Sequence, residues 1–151
     1  MVFLTKAESY LSNHSLQEEL FGPATLVVLA DSPAQLEQIA SQLEGQLTAT
    51  IHAADGELEN HRGLIEILQR KAGRLLFNGY PTGVEVCAAM HHGGPYPAST
   101  DAASTSVGTA AIERFARPIC FQDCPASSLP PELRDENPLR LWRLVDGKVV
   151  Q

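Results

Sequence analysis

The run ATLVVLA at residues 24–30, together with the helix signal that follows it, constrains the fold most strongly. Seven consecutive small or apolar residues, several of them β-branched, predict a strand buried on both faces in a parallel sheet. Ser32 then provides a helix N-cap, Pro33 fills the first helical position, and Gln35 stands where its side chain can close a capping box. With apolar residues recurring at helical spacing, a helix is predicted over residues 33–44.

The strand–helix pattern repeats over the next residues. The sequence LTATIHA at 47–53 predicts a second strand, apolar residues at 64, 65 and 68 share one face of a second helix, and RLLFN at 74–78 predicts a third strand. Gly45 and Gly73 are expected to end the two helices. Strands that alternate with helices of this length predict an α/β fold, with three-layer βαβ units and a mainly parallel sheet.

The C-terminal half is less regular. Residues 79–104 contain four Gly and three Pro, and a loop of that length in a compact domain is usually functional or disordered. A helix is predicted over residues 105–115 and a short strand over 118–122. The Pro-rich tail ends in a predicted hairpin, because Asp146-Gly147 between two apolar runs favours a two-residue turn.

Composition excludes several classes of partner. With 151 residues, 44% of them hydrophobic and 19% charged, the chain has the make-up of one globular domain. No apolar run approaches the roughly 20 residues needed to span a bilayer. The formal net charge is -7 with 11 Lys and Arg, which offers no basic surface for nucleic acid. The opening MVFLTKAESYL lacks the features of a secretory signal, so a cytoplasmic location is expected.

Three cysteines and a pair of histidines are the side chains with reactive or metal-binding chemistry to consider first. Cys87, Cys120 and Cys124 are odd in number and include no CxxC pair, which argues against both disulfides and a zinc site. Cys87 precedes His91-His92 by four residues and has two interpretations: the nucleophile of a cysteine-dependent hydrolase, or a small apolar residue packed behind the loop. For the hydrolase interpretation, no orienting carboxylate is evident in the sequence.

The string HHGGP at residues 91–95 is the most unusual part of the loop. Its two glycines let the backbone approach a ligand closely, so the string has either a substrate-loop role or a packing role. Metal binding is not expected, because adjacent histidines cannot easily face one ion and no third ligand is evident. Motifs of the GxGxxG, GxxxxGK[ST], GxSxG and HExxH types are absent.

The stretch QEELFGP at residues 17–23 also has two interpretations. Glu18 and Glu19 either end a short solvated helix, SLQEEL, or stand at the mouth of the following strand, where ligands of α/β proteins bind. A carboxylate there accepts hydrogen bonds from paired hydroxyls such as those of ribose. Phe21 could pack against a flat ring.

Glu19, Phe21, Gly22 and Pro23 before a buried strand resemble the E-x-F-G-P motif of the aldehyde dehydrogenase superfamily. The resemblance extends over nearly the whole chain, through LTATIHA and AGRLLFNGYPTG, in the order found in the C-terminal part of that family's catalytic domain. The string from GRLLFNGYPTG to ICFQDCP is similar to the NADP-preferring branch that includes α-ketoglutaric semialdehyde (2,5-dioxovalerate) dehydrogenases.

The resemblance implies roles for particular residues. Glu19 would hydrogen-bond the ribose next to the nicotinamide of NADP or NAD, and Phe21 would pack near the nicotinamide. His92 and Gly93 would belong to the segment that lines the substrate entrance, although here PYP replaces the family's commoner GG-x-K-x-SG continuation. Asn78 would have a supporting structural role.

The family's nucleophilic cysteine, general-base glutamate and coenzyme domain lie upstream of the matched region. None of the three cysteines stands in the family's GQxCT-type motif, so no catalytic residue is assigned to this chain. The chain is therefore expected to be the C-terminal piece of the enzyme, expressed alone or encoded by a truncated gene, and inactive by itself. The alternative is a stand-alone α/β binding or interaction module without the chemistry.

The same resemblance predicts the division of the chain and its assembly. Residues 1–122 correspond to the catalytic domain, with 117–122 as a candidate oligomerisation strand, and residues 123–151 form a C-terminal extension with the hairpin. A homo-oligomer is expected, with no membrane or nucleic-acid partner.

Overall fold

Parallel strand pairs, each joined through helices, form the first part of the fold in a computed structural model that describes residues 1–151. The strands and α-helices in chain order are β1 (Val2–Lys6), α1 (Ala7–Ser12), β2 (Thr25–Leu29), α2 (Pro33–Gln42), β3 (Gln46–Ile51), α3 (Arg62–Lys71), β4 (Ala72–Phe77), β5 (Arg143–Val145) and β6 (Lys148–Val150). Short 3-10 helices lie at His14–Leu16, Glu57–His61, Thr109–Phe115, Ala126–Ser128 and Pro131–Leu133. The predicted α/β class with parallel βαβ pairing is confirmed.

The predicted first strand is present as β2, but its neighbour was not foreseen. β1 pairs with it in parallel, from Val2 opposite Thr25 to Lys6 opposite Leu29. Burial alternates along β2, and Leu29 is 50% exposed. The expectation of a strand buried on both faces is therefore wrong in this chain, because β2 has a single neighbouring strand and one covered face.

The start of α2 follows the sequence signal closely. The Ser32 hydroxyl accepts a hydrogen bond from the Gln35 backbone N–H at 3.3 Å, and the Gln35 side-chain oxygen accepts one from the Asp31 N–H at 2.7 Å. The capping box thus closes one residue earlier than in the standard form. The helix ends at Gln42 without a glycine, since the Leu43 N–H bonds back to the Ala40 carbonyl at 3.3 Å.

The second strand pair is held at its carboxyl end by one asparagine. β3 and β4 pair in parallel from Gln46 opposite Ala72 to Ile51 opposite Phe77. Beyond them the Asn78 side chain accepts from the Ala53 N–H at 2.9 Å and donates to the Ala53 carbonyl at 3.0 Å. Asn78 has a φ of 50°, a conformation that asparagine tolerates better than most residues. Its expected supporting role agrees with these contacts.

Glycines 45 and 73 do not end helices, contrary to the prediction. α3 passes directly into β4, so Gly73 lies inside the strand. A side-chain carbon at Gly73 would collide with the Gly93 carbonyl, and one at Gly45 would collide with that of Pro95. Gly94 similarly approaches the Gln46 carbonyl. Their shared role is to let the loop backbone lie against the amino ends of β3 and β4.

Few side chains are buried. The helices pack as α1 against α2 and α2 against α3, and only five apolar residues are buried: Ala7, Tyr10, Ala40, Leu68 and Ala72. By contrast, each of the four parallel strands exposes a large apolar side chain, among them Phe3, Val27, Leu47 and Phe77. Exposed apolar residues of this kind are typical of a surface that another part of a protein or another chain covers.

The remaining predictions for the first part of the chain had mixed outcomes. Residues 79–104 form neither helix nor strand, as expected of the long loop. The helix predicted over 105–115 is reduced to the 3-10 helix Thr109–Phe115. The small residues preceding it are used instead in turns and hydrogen bonds of the loop.

The chain divides into two compact units, Met1–Ala116 and Arg117–Gln151. In the second unit no strand forms at 118–122, so that prediction is wrong for this chain. The hairpin of β5 and β6 is confirmed, and both turn residues, Asp146 at φ 50° and Gly147 at φ 77°, have the positive φ of a type I′ turn. The predicted domain division after residue 122 stays a prediction.

Two sheets of two strands replace the single parallel sheet that was expected. β1 pairs with β2, and β3 pairs with β4, but no hydrogen bonds join the pairs. No helix in the chain has both the length and the apolar character needed to cross a membrane.

Substituting Gly73 tests the close approach of the loop. Gly73→Ala is expected to destabilise the fold by about 1 to 3 kcal/mol, because its methyl group must displace backbone rather than a flexible side chain. Gly79→Ala is the matched control, since its added carbon meets only the Phe77 carbonyl at an ordinary 3.7 Å. Urea denaturation measures both; equal stability of the two variants would contradict the packing described.

Tyr10 provides a test of the small core. Burial raises the pKa of its phenol above the usual value near 10. The neutral phenol thus stabilises the folded state at lower pH, and this contribution is lost as the pH rises above about 10. In a titration of tyrosinate absorbance, Tyr10 should give a late component that ionises at a higher pH than a free tyrosine side chain. Tyr10→Phe should remove the late component; an unchanged curve would show that Tyr10 is not buried.

Candidate functional site

The segment at residues 17–23 is not helical in the way the sequence suggested. Asn13 caps the 3-10 helix His14–Leu16 by accepting a hydrogen bond from the Ser15 N–H at 3.2 Å. Gln17 closes the turn with its N–H on the His14 carbonyl at 2.9 Å. The helix expected over SLQEEL therefore ends before the two glutamates, which follow it in irregular backbone.

An open cavity of about 1050 Å³ lies against this segment. It is lined by residues 3–5, 15–16, 18–22 and 24–26, which places Glu19 and Phe21 on one wall and the β1–β2 pair beside them. Phe21 is 95% exposed and Glu19 is also exposed. An exposed carboxylate and an exposed aromatic ring thus share a cleft at the upper end of the size range of small-molecule sites.

The position of that wall depends on backbone hydrogen bonds at the start of β2. The Thr25 N–H donates to the Met1 carbonyl at 3.0 Å, which sets the register of β2 against β1. Pro23 has no N–H to donate, and its carbonyl accepts from the Met1 amino group at 2.5 Å. The Gly22-Pro23 break therefore separates the irregular segment from β2. Phe21 lies at the end of that segment, directly before the break.

The second pair of predicted site residues, His92 and Gly93, lies elsewhere. The structure places them against the β3–β4 pair rather than in the cavity of Glu19 and Phe21. His92 is half-buried, whereas Gly93 is buried with its carbonyl against Gly73. The His91 ring also lies over Gly93, because a side-chain carbon built there would be 3.1 Å from His91 Nε2. A ligand at this pair would thus contact the half-buried His92 side chain more readily than the buried Gly93.

Two residues that fix the loop were missed by the sequence reasoning. Thr105, 5% exposed, is the one buried polar residue; its hydroxyl accepts from the His92 N–H at 2.7 Å. Arg74 on β4 donates from Nη1 to the Gly83 carbonyl at 2.9 Å and from Nη2 to the Pro81 carbonyl at 3.5 Å. A charged residue within the apolar strand RLLFN was the available signal for Arg74, whereas nothing in the sequence marks Thr105.

Other reactive groups do not assemble into a site. All three cysteines are free, with Cys87 half-buried in the loop. The chain brings together no group of three His, Cys, Asp or Glu residues that could hold a metal ion. The pKa of Asp101 is lowered by its hydrogen bond with Ser104, by the Ala103 N–H and by Arg114. These contacts order the loop around an exposed carboxylate.

A second cavity of about 600 Å³ lies between α2 and α3, near the carboxyl ends of β2 and β3. Its walls include Leu36, Leu43 and Leu68, with Asp31, His52 and Glu57 also on its lining. The Glu57 carboxylate is engaged by the Ala54 N–H at 2.9 Å. This cavity is an apolar gap between packed elements rather than a cluster of converging polar groups.

The fold is that of part of an α/β protein, and its first cavity is an open cleft with Glu19 and Phe21 on one wall.

No protein-family model matches the chain. It is 51% identical to "Alpha-ketoglutaric semialdehyde dehydrogenase 2" of Azospirillum brasilense over 142 residues, which make up 94% of this chain and 27% of that enzyme. It is 52% identical to "Alpha-ketoglutaric semialdehyde dehydrogenase" of Acinetobacter baylyi over 139 residues, 92% of this chain and 26% of that enzyme.

These similarities confirm the resemblance to the aldehyde dehydrogenase superfamily that the motifs carry. The chain spans about a quarter of the length of the curated relatives it matches.

Proposed function

We propose that this chain forms the C-terminal part of the catalytic domain of an NAD(P)-dependent aldehyde dehydrogenase that oxidises α-ketoglutaric semialdehyde to the carboxylic acid. The observation that carries the proposal is the 51–52% identity, over more than nine-tenths of the chain, to two enzymes that bear the name of this activity. The coenzyme is NADP or NAD.

The residues on the wall of the first cavity fit one side of a nicotinamide nucleoside. Glu19 presents acceptor oxygens of the kind that bind the paired hydroxyls of ribose, and the Phe21 ring beside it offers a flat apolar surface. The cavity is open, so this chain supplies a single wall. The nicotinamide, when bound, supplies the acceptor for the hydride that the aldehyde carbon loses.

Each residue then has a distinct task. Glu19 holds the ribose and thereby fixes the distance of the ring from the substrate. Phe21 limits how far the ring can swing, and its 95% exposure leaves the whole ring face free for contact. Glu18, although on the same lining, is an ordinary surface charge in this proposal.

The β3–β4 side contributes to the substrate entrance. The half-buried His92 side chain faces the substrate, and Gly93 shapes the backbone that presents it. No catalytic residue is assigned to this chain. The nucleophile and the general base of the reaction come from the part of the enzyme outside the matched quarter.

The exposed apolar side chains support the proposal that other parts of the enzyme pack against this chain. Large apolar side chains on all four parallel strands are exposed, so the remaining domain and further copies of the enzyme have a surface to cover. A homo-oligomer in the cytoplasm, where free cysteines stay reduced, is consistent with this surface and with the three unpaired thiols. Residues 117–122, which form no strand in the chain by itself, are the proposed intersubunit segment.

The first test compares the chain alone with a chimera. The chimera carries this chain in place of the matching 142 residues of the Azospirillum brasilense enzyme. NADP- and NAD-dependent oxidation of α-ketoglutaric semialdehyde is expected in the chimera and absent in the chain alone. Activity of the isolated chain would overturn the assignment of the catalytic groups elsewhere. An inactive but folded chimera would favour a non-catalytic binding or interaction module.

The second test separates the two glutamates in the same chimera. Glu19→Gln is expected to lower kcat/KM by about 1 to 3 kcal/mol of transition-state stabilisation, the scale of a hydrogen bond to a charged group. Glu18→Gln is the matched control because it removes the neighbouring charge and should leave kcat/KM within about twofold. Equal effects of the two substitutions would remove Glu19 from the coenzyme site.

A further inference from the structure

His92 is held from the C-terminal side by the hydroxyl of Thr105. That hydroxyl accepts from the His92 N–H at 2.7 Å and donates to the Val107 carbonyl at 2.9 Å. The Ser106 N–H adds a hydrogen bond to the His92 carbonyl at 3.0 Å. Both backbone groups of His92 are therefore paired with the segment around the buried Thr105.

The residues before His92 are held from the other side by Arg74. Besides the Gly83 and Pro81 carbonyls, Arg74 Nη1 lies 3.9 Å from the Met90 sulfur. Met90 directly precedes the histidine pair, and its N–H bonds to the Cys87 carbonyl at 3.2 Å. The guanidinium thus joins the beginning and the end of residues 81–90.

All hydrogen bonds of the Arg74 side chain go to the loop. Its Nη atoms meet backbone carbonyls instead of a carboxylate, and its Nε is buried without a hydrogen-bond partner. A planar guanidinium can reach two carbonyls at once, which the single ammonium of lysine cannot match in geometry. Arg74 is therefore suited to fix backbone positions.

We propose that Thr105 and Arg74 are positioning residues for the aldehyde substrate, because they fix the place of His92 from its two sides. This inference rests on the proposed function of His92 at the substrate entrance. Thr105 acts on His92 itself, and Arg74 acts through Met90 and the preceding backbone. Neither residue touches the reacting atoms in this arrangement.

Thr105→Val and Thr105→Ser form the matched pair that tests it. Valine keeps the shape but leaves the His92 N–H without its acceptor, whereas serine keeps the hydroxyl. Hydrogen exchange at the His92 amide, measured by NMR in the 151-residue chain and by mass spectrometry of loop peptides in the chimera, should be about tenfold faster in the valine variant. The serine variant should exchange like the unsubstituted protein.

Kinetics of the chimera connect the loop to the substrate. Thr105→Val is expected to raise KM for α-ketoglutaric semialdehyde about tenfold with kcat within about twofold, as loss of binding common to ground and transition states requires. Arg74→Lys should also raise KM for α-ketoglutaric semialdehyde. Thr105→Ser should restore the unsubstituted KM, which a role in overall stability alone would not predict.

The outcomes distinguish the two proposals. Unchanged exchange in the valine variant overturns the positioning role, whether or not the chimera is active. Faster exchange with unchanged KM overturns the link to the substrate. An inactive unsubstituted chimera overturns the proposed function, while the exchange measurements still decide whether Thr105 fixes His92. If the valine variant does not fold, Arg74→Lys applies the same exchange and KM criteria through the other anchor.

Discussion

Backbone contact at the amino ends of β3 and β4 fixes the position of the long loop at residues 79–104. The carbonyls of Gly93 and Pro95 lie so close to Gly73 and Gly45 that any side chain there would displace main chain. The long loop is consequently not a free surface excursion but a layer over the strand ends. Thr105 and Arg74 then complete its attachment with polar contacts. The place of His92 follows from that packing.

Few apolar side chains are buried, and many large ones are exposed. Each parallel pair has two strands only, and a two-stranded sheet cannot bury both of its faces and its edges. The helices cover part of the apolar surface, yet large apolar side chains on all four parallel strands stay exposed. The ring of Phe21, 95% exposed on the wall of an open cavity, is a further apolar group that this chain leaves uncovered.

Local sequence signals predict the structure correctly where a few neighbouring residues decide the conformation. Ser32, Pro33 and Gln35 begin a helix by their own hydrogen bonds and fixed φ, and Asp146-Gly147 makes a hairpin turn through positive φ values that few other residue pairs adopt. The two wrongly predicted helix ends share one cause. Gly45 and Gly73 looked like helix ends because glycine suits that role, but the reason for them is the loop backbone, which is distant in sequence.

The sequence by itself determined the alternation of strands and helices, the resemblance to a family, and the motif that contains Glu19 and Phe21, because these depend on residue type and spacing along the chain. The tertiary structure alone decided that Glu19 and Phe21 share one cavity while His92 and Gly93 pack against another strand pair. It also decided that a threonine and an arginine hold the loop. Those facts depend on which distant backbone groups meet, and hydrogen-bond partners across a fold are set by packing that no local pattern encodes.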